Sequence, residues 1–359
     1  MHVSQRYLDL TKQKLELTRL PREPQSSRPI PDIGVTKSQL EPLIDHWLEE
    51  YDWRRQETYI NEHLPQFRAL ISGVRLHFVH RRSQRPHAIP LLFIHGFPES
   101  FLSAERVIDA LCDPIDEHRP AFHLIVPSIP GFGLSDPVPE EGNSVPTTAA
   151  LFDTLMKSLG YGRYMVHGSG WAFNICRMLA LAHQESCLAI HTVNPEVPAP
   201  RSPPAEGLQT MAYALCDSPP GLLAYILDAI RPLPPTSSTP TSPASSHSQA
   251  MSTDEPESWS PTAILNWTMV YWLSGPEVAL RWVANSAALA ASLWLNHVNV
   301  PLGITQFSTP VAPLQWAEAY HRLALLRHRP GTVRFPAWER PGQVVEDIRE
   351  LAAVIGAFV

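Results

Sequence analysis

The side chains best able to move a proton or attack a carbon gather at turns that follow apolar runs. His95 and Glu99 lie in HGFPES, which follows PLLFI; His167 and Ser169 lie in HGSGWA, which follows RYMV; Glu196 follows AIHTVN. Imidazole and carboxylate groups exchange protons near neutrality, and a serine beside a base can become a nucleophile. Another turn, PSIPGFGLSDP after residue 126, carries no such pair but is dense in Gly and Pro. Arg334, in VRFPAWERP, keeps its proton at any ordinary pH. It can hold an anion or polarise a carbonyl, but it cannot take a proton from water.

The elements that must position these turns can be read from the pattern. RLHFVH (75–80), PLLFIHG (90–96), FHLIVPS (122–128), RYMVHG (163–168), AIHTVN (189–194) and VPLGITQF (300–307) read as strands. Helical stretches alternate with them, including TTAALFDTLMKSLG (147–160) and WAFNICRMLALAHQ (171–184). Thr147 is the expected cap of the first, and Gly160 its end. Strands alternating with helices predict a mostly parallel α/β sheet, with its site at the carboxyl ends of the strands. A helical segment that includes residues 37–64 precedes the sheet, and residues 200–299 read as a mostly helical block in the place of a lid. Residues 232–261 are rich in Pro and Ser and nearly free of large apolar side chains, which predicts a disordered loop.

Composition narrows the function classes. The 359 residues are 44% hydrophobic and 18% charged, so a sizeable core is expected; a net charge of −7 gives no pull on nucleic acid or anionic membrane. The four cysteines (Cys112, Cys176, Cys187, Cys216) are scattered without a C-x-x-C pair, as expected of free thiols rather than a metal site or disulfide framework. A polar N-terminus without a signal-peptide core, and the lack of any 18-residue apolar run, predict a soluble cytoplasmic protein. No cofactor or metal is expected.

The ordered blocks resemble epoxide hydrolases of the microsomal and juvenile-hormone type, N-terminal domain included, over essentially the whole chain. They run from LTRLP (17–21), HWLEEYDWRRQETYINEHLPQFR and ISGVRLHFVH through PLLFIHGFPESFLSAERVI, VPSIPGFGLSDP and LFDTLMKSLGYGRYMVHGSGW. The cap blocks are MAYALCDSPPGLLAYILDAI and NWTMVYWLSG, and EDIREL ends the match. The resemblance implies an α/β-hydrolase fold with a mostly parallel central sheet. The N-terminal domain would span 1–87, the core 88–199 and 300–359, and the inserted cap 200–299.

The resemblance also says what chemistry should stand where. The family nucleophile is an Asp at the tip of a strand-to-helix elbow with small residues two before and two after. Gly168 and Ala172 fill the small positions, Trp171 matches its neighbour, and the tip is Gly170, which has no side chain with which to form an ester. Ser169 as a substitute nucleophile would be crowded by His167 and Trp171. The general-base position holds Arg334, for which pairing with a carboxylate such as Glu339 is the plain alternative role. The acid position falls on or beside Pro310, and a second place for it holds Glu196. One of two cap tyrosines falls in a shortened segment and the other near Trp282; Tyr213, Tyr225 and Tyr271 are expected in the cap core. His95, Gly96, Phe97 and Pro98 match the family's oxyanion turn, where the backbone N–H groups of Phe97 and Trp171 would serve.

Three readings follow. A repurposed enzyme of cyclase or isomerase type, in secondary metabolism, would orient a small hydrophobic metabolite rather than attack it. A ligand-binding or scaffold protein would do no chemistry. A true epoxide hydrolase would need relocated groups, for which Glu99, Glu196, His167 and His95 are at hand. The first reading expects Arg334, Ser169 or His167 to converge on one cavity. Homodimerisation stays open in all three.

Overall fold

The computed structural model describes residues 1–23, 34–139, 142–195, 208–231, 259–293, 296–307 and 318–357. Eight strands form one sheet in the order β1-β2-β4-β3-β5-β6-β7-β8: β1 (Gln66–Ile71), β2 (Val74–Arg81), β3 (Ile89–Ile94), β4 (Phe122–Pro127), β5 (Tyr164–Gly168), β6 (Cys187–Val193), β7 (Val298–Phe307) and β8 (His321–Arg329). Pairing is antiparallel for β1/β2 and β2/β4 and parallel from β4 through to β8. The central strands are buried on both faces, which is why they read as unbroken apolar runs.

The helices in chain order up to the last strands are α1 (Gln5–Glu16), α2 (Lys37–Glu49), α3 (Trp53–His63), α4 (Ile108–Cys112), α5 (Val145–Ser158), α6 (Trp171–Ala182), α7 (Leu208–Asp217), α8 (Pro219–Ile230), α9 (Pro261–Ser274) and α10 (Glu277–Leu293). Within the helical segment 37–64 stand two helices. The chain breaks at Asp52, whose carboxylate caps α3 by accepting from the amides of Arg54 and Arg55 at 2.8 and 3.3 Å. The expected cap Thr147 lies inside α5, which starts at Val145 after Ser144; Pro146 sits in the first turn, where its missing N–H costs nothing. Gly160 follows the helix with φ 88°, as its role as terminator requires.

The cap is helical, as the pattern predicts, with α7 to α10 lying between β6 and β7. Its described part corrects two expectations. Pro261, placed in the disordered loop, opens α9 behind Ser260, whose hydroxyl accepts from the amide of Ala263; residues 232–258 lie outside the described residues. Tyr213 is 72% exposed rather than in the cap core. The N-terminal helices clasp this cap. Tyr51 donates to Asn266 at 2.8 Å, Trp272 donates to the Thr11 hydroxyl at 2.8 Å, and Lys14 pairs with Asp217.

Candidate functional site

The elbow is built where β5 runs into α6. Gly168 ends the strand at a point of close approach: a Cβ there would stand 2.8 Å from the Ala172 Cβ and 2.9 Å from the Cys176 Sγ. Small residues two before and two after the tip are therefore a packing requirement of this turn. The tip, Gly170, has φ 54° and ψ −127°, a backbone shape that side chains rarely adopt. It is exposed, and a Cβ added to it would meet nothing within 4 Å.

The HGFP turn abuts this elbow. A Cβ on Gly96 would lie 3.2 Å from the Ser169 carbonyl oxygen and 3.2 Å from Oε1 of Glu99. The Phe97–Pro98 bond is cis. The amides of Phe97 and Trp171 make no hydrogen bond among the described residues, so both remain available to an acceptor above the elbow. Over the turn stands an aromatic wall. Phe97 lies 6.2 Å from Phe132, 6.0 Å from Tyr271 and 6.2 Å from Tyr225. Trp282 packs 5.6 Å from Phe132 and 6.4 Å from Trp171, with its indole N–H donated to Thr148. Tyr271 is buried and donates to the Glu99 carbonyl at 2.5 Å, while the Tyr225 hydroxyl has no partner among the described residues.

The two histidines expected near the site are both taken. His95 is fully buried; its Nδ1 donates to the Gly96 carbonyl at 2.9 Å and its Nε2 accepts from the Ile129 amide at 3.2 Å. Burial lowers its pKa to about 4, so it stays neutral and holds two loops together. His167 lies beneath the elbow, against Phe93, in a buried chain of polar groups. The Thr305 hydroxyl donates to Asp347 at 2.7 Å, which leaves its oxygen to accept from His191 Nε2 at 3.1 Å. His191 Nδ1 is then an acceptor for His167 Nδ1–H at 2.9 Å. This chain, spread over three strands and the C-terminal helix Pro341–Val354, is invisible in any local motif; the only signal is a histidine in each of two strands buried on both faces.

Arg334 shares no hydrogen bond with them among the described residues. It is exposed; its Nε donates to the Ala229 carbonyl at 3.1 Å and its amide to Glu339 at 2.8 Å. Pairing with Glu339 thus runs through the backbone and not the guanidinium. Glu339 also accepts from the Trp259 indole at 3.2 Å, and its charge helps to raise Glu99, whose pKa burial lifts to about 7. Ser169 is half-buried, and its hydroxyl has no partner among the described residues; its carbonyl accepts from the Ala172 amide. Pro310 and Glu196 lie outside the described residues.

A mostly parallel sheet, an elbow with a left-handed tip, an oxyanion-type turn beside it and a helical cap define a protein of the α/β-hydrolase fold. The family described as alpha/beta hydrolase fold matches residues 89–234, and that described as epoxide hydrolase N terminus matches residues 1–104. A putative epoxide hydrolase of Stigmatella aurantiaca is 29% identical over 361 residues, covering 88% of this chain and 76% of that protein. Juvenile hormone epoxide hydrolase 1 of Ctenocephalides felis is 28% identical, covering 88% of this chain and 77% of that one. In fold, the chain superimposes on the epoxide hydrolase of Aspergillus niger with a TM-score of 0.79, at 24% identity over 99% of this chain and 95% of the other. The chain belongs to the epoxide hydrolase family of the α/β-hydrolase superfamily.

Proposed function

We propose that this member of the family has left the covalent hydrolytic route and acts as a non-hydrolytic enzyme, of cyclase or isomerase type, on a small hydrophobic metabolite. The observation that carries the reading is Gly170: the tip of the elbow keeps the strained backbone and the open space that a nucleophile needs, without the nucleophile. Around it remain the means to orient and polarise a substrate, namely two unengaged amides and an aromatic wall. Orientation of this kind can supply much of a barrier where no bond to the protein has to form. Glu99, which titrates near pH 7 through burial, is the group placed to give or take a proton. An accessory role in secondary metabolism fits such an arrangement.

One observation favours a second reading, a ligand-binding protein without chemistry. Arg334 is exposed and its guanidinium is engaged by the Ala229 carbonyl, so the cation is held by the protein and open to solvent rather than reserved for a substrate. The third reading, hydrolysis by relocated groups, loses His95 and His167 to their hydrogen bonds and keeps Glu99.

The test uses styrene oxide in heavy-oxygen water. The wild type is expected to form no diol above the uncatalysed rate and to show no protein-bound adduct by intact mass. Gly170→Asp is expected to gain a slow adduct of one epoxide mass. Wild-type turnover with heavy oxygen entering a protein carboxylate would overturn the proposal.

A further inference from the structure

At the amino ends of the parallel strands, opposite the elbow, lies a cavity of 540 Å³. Arg163 just before β5, Leu188 of β6, Pro301 of β7, and Arg322 and Ala324 of β8 line it, and residues 354–357, after the C-terminal helix, close one side. Strand pairing is irregular around it. Register shifts fall between Tyr164 and Met165 on β5/β6, and between Val298 and Pro301 and between Leu302 and Gly303 on β7/β8. A skipped residue breaks the ladder and bends the strand, which is how a sheet end opens into a hollow.

The charges are uneven. Arg163 and Arg322 are both exposed, and neither guanidinium has a hydrogen-bond or ion-pair partner among the described residues. Elsewhere the structure gives arginines carboxylates: Arg81 holds Asp109 and Asp113, Arg85 holds Glu117, and Arg329 holds Glu346 and Asp347. No acidic side chain among the described residues lines this cavity, in a chain with 35 acidic and 28 basic residues. The rest of the lining is largely aliphatic, including Leu188, Ala324 and Val354, which is 54% exposed.

We infer that this hollow binds an amphiphilic anion, a carboxylate head between Arg163 and Arg322 with a short aliphatic tail over Leu188, Ala324 and Val354. Guanidinium forks match a carboxylate in shape and charge, and the volume falls in the range of small-molecule sites. The site is remote from the elbow and stands whether or not chemistry occurs there.

Isothermal titration of the full chain with sodium decanoate tests it. One equivalent is expected to bind, more weakly as sodium chloride is raised, and decanol, which lacks the charge, is expected to bind at least about tenfold more weakly, one charge-assisted contact being worth roughly that factor. Arg163→Gln with Arg322→Gln, both at exposed positions, is expected to abolish decanoate binding while leaving the melting curve unchanged. Ala324→Trp, which fills the hollow but keeps both charges, is expected to do the same. Decanoate binding that is absent, insensitive to salt, or unchanged in the double variant, as it would be if the elbow pocket took the probe, overturns the inference.

Discussion

Two glycines two residues apart in the elbow are there for different reasons, and the difference is measurable. Gly168 has a standard strand backbone but no room: Ala172 and Cys176 would both lie under 3.0 Å from an added Cβ. Gly170 has room on every side but a left-handed backbone. Gly168→Ala must therefore push apart β5 and α6, at about 3 kcal/mol, as overpacking in a tight core does. Gly170→Ala meets only the conformational penalty, about 1 kcal/mol. Urea denaturation of the two variants is expected to rank them in that order. An equal or larger loss at position 170 would mean that the tip is packed, and would undercut the claim that a nucleophile's space stands open there.

At the scale of elements, a buried cation ties core to cap, at a seam also held by the contacts of Tyr271 and Trp282. Arg177, in α6, is fully buried; it donates to the carbonyls of Leu293 at 2.8 Å and Asn296 at 3.0 Å, and also meets His321 at the start of β8. Burial lowers its pKa to about 10. One side chain thus pins the elbow helix, the exit of α10 and the last strand. Arg177→Met keeps the aliphatic bulk but strands the buried Leu293 carbonyl and the part-buried one of Asn296, and is expected to cost about 2 kcal/mol in urea denaturation; a loss below about 1 kcal/mol would show that water or rearrangement satisfies them. The seam also shows what could be read in the sequence. The six inner strands were legible because burial on both faces writes a continuous apolar run. The edge strands β1 (QFRALI) and β8 (HRLALLRHR) were not, since charges interrupt them wherever one side meets solvent. The helix α1 escaped for the same reason: polar residues dominate it and only Thr11 and Leu15 are buried. In the site, Gly, Pro and the resemblance marked the turns. Arg177 with Leu293, and His167 with Asp347, join residues over a hundred positions apart, and no spacing in the sequence encodes such contacts.

At the scale of the whole molecule, buried neutral histidines set the response to acid. Burial holds His77, His191 and His321 at about 3 and His95 at about 4, against about 6.5 in the unfolded chain. Below pH 6.5 the unfolded chain therefore binds protons that the folded one refuses, and stability is lost as the pH falls from 6.5 towards those values. Glu99 works in the opposite sense. Its folded value of about 7 lies above the unfolded one, so the folded state takes that proton first and gains on it until the pH reaches the unfolded value near 4.5. The buried histidines, His167 among them, outnumber the carboxyls that burial raises, Glu99, Glu105 and Glu339, and each group is worth up to about 1.4 kcal/mol per pH unit, so the balance below pH 6 is a net loss of stability. Against a stability of about 5–15 kcal/mol, this predicts a steep loss of stability as the pH falls from 6 towards 5. Calorimetric melting at pH 7.5, 6.5 and 5.5 is expected to show a small change over the first step and a steep fall over the second. His191→Gln, which can still donate to Thr305, is expected to shallow that fall by the share of one proton. A melting temperature that stays level down to pH 5.5 would mean that these histidines are hydrated and titrate in the folded state, and the buried chain beneath the elbow would have to be abandoned with them.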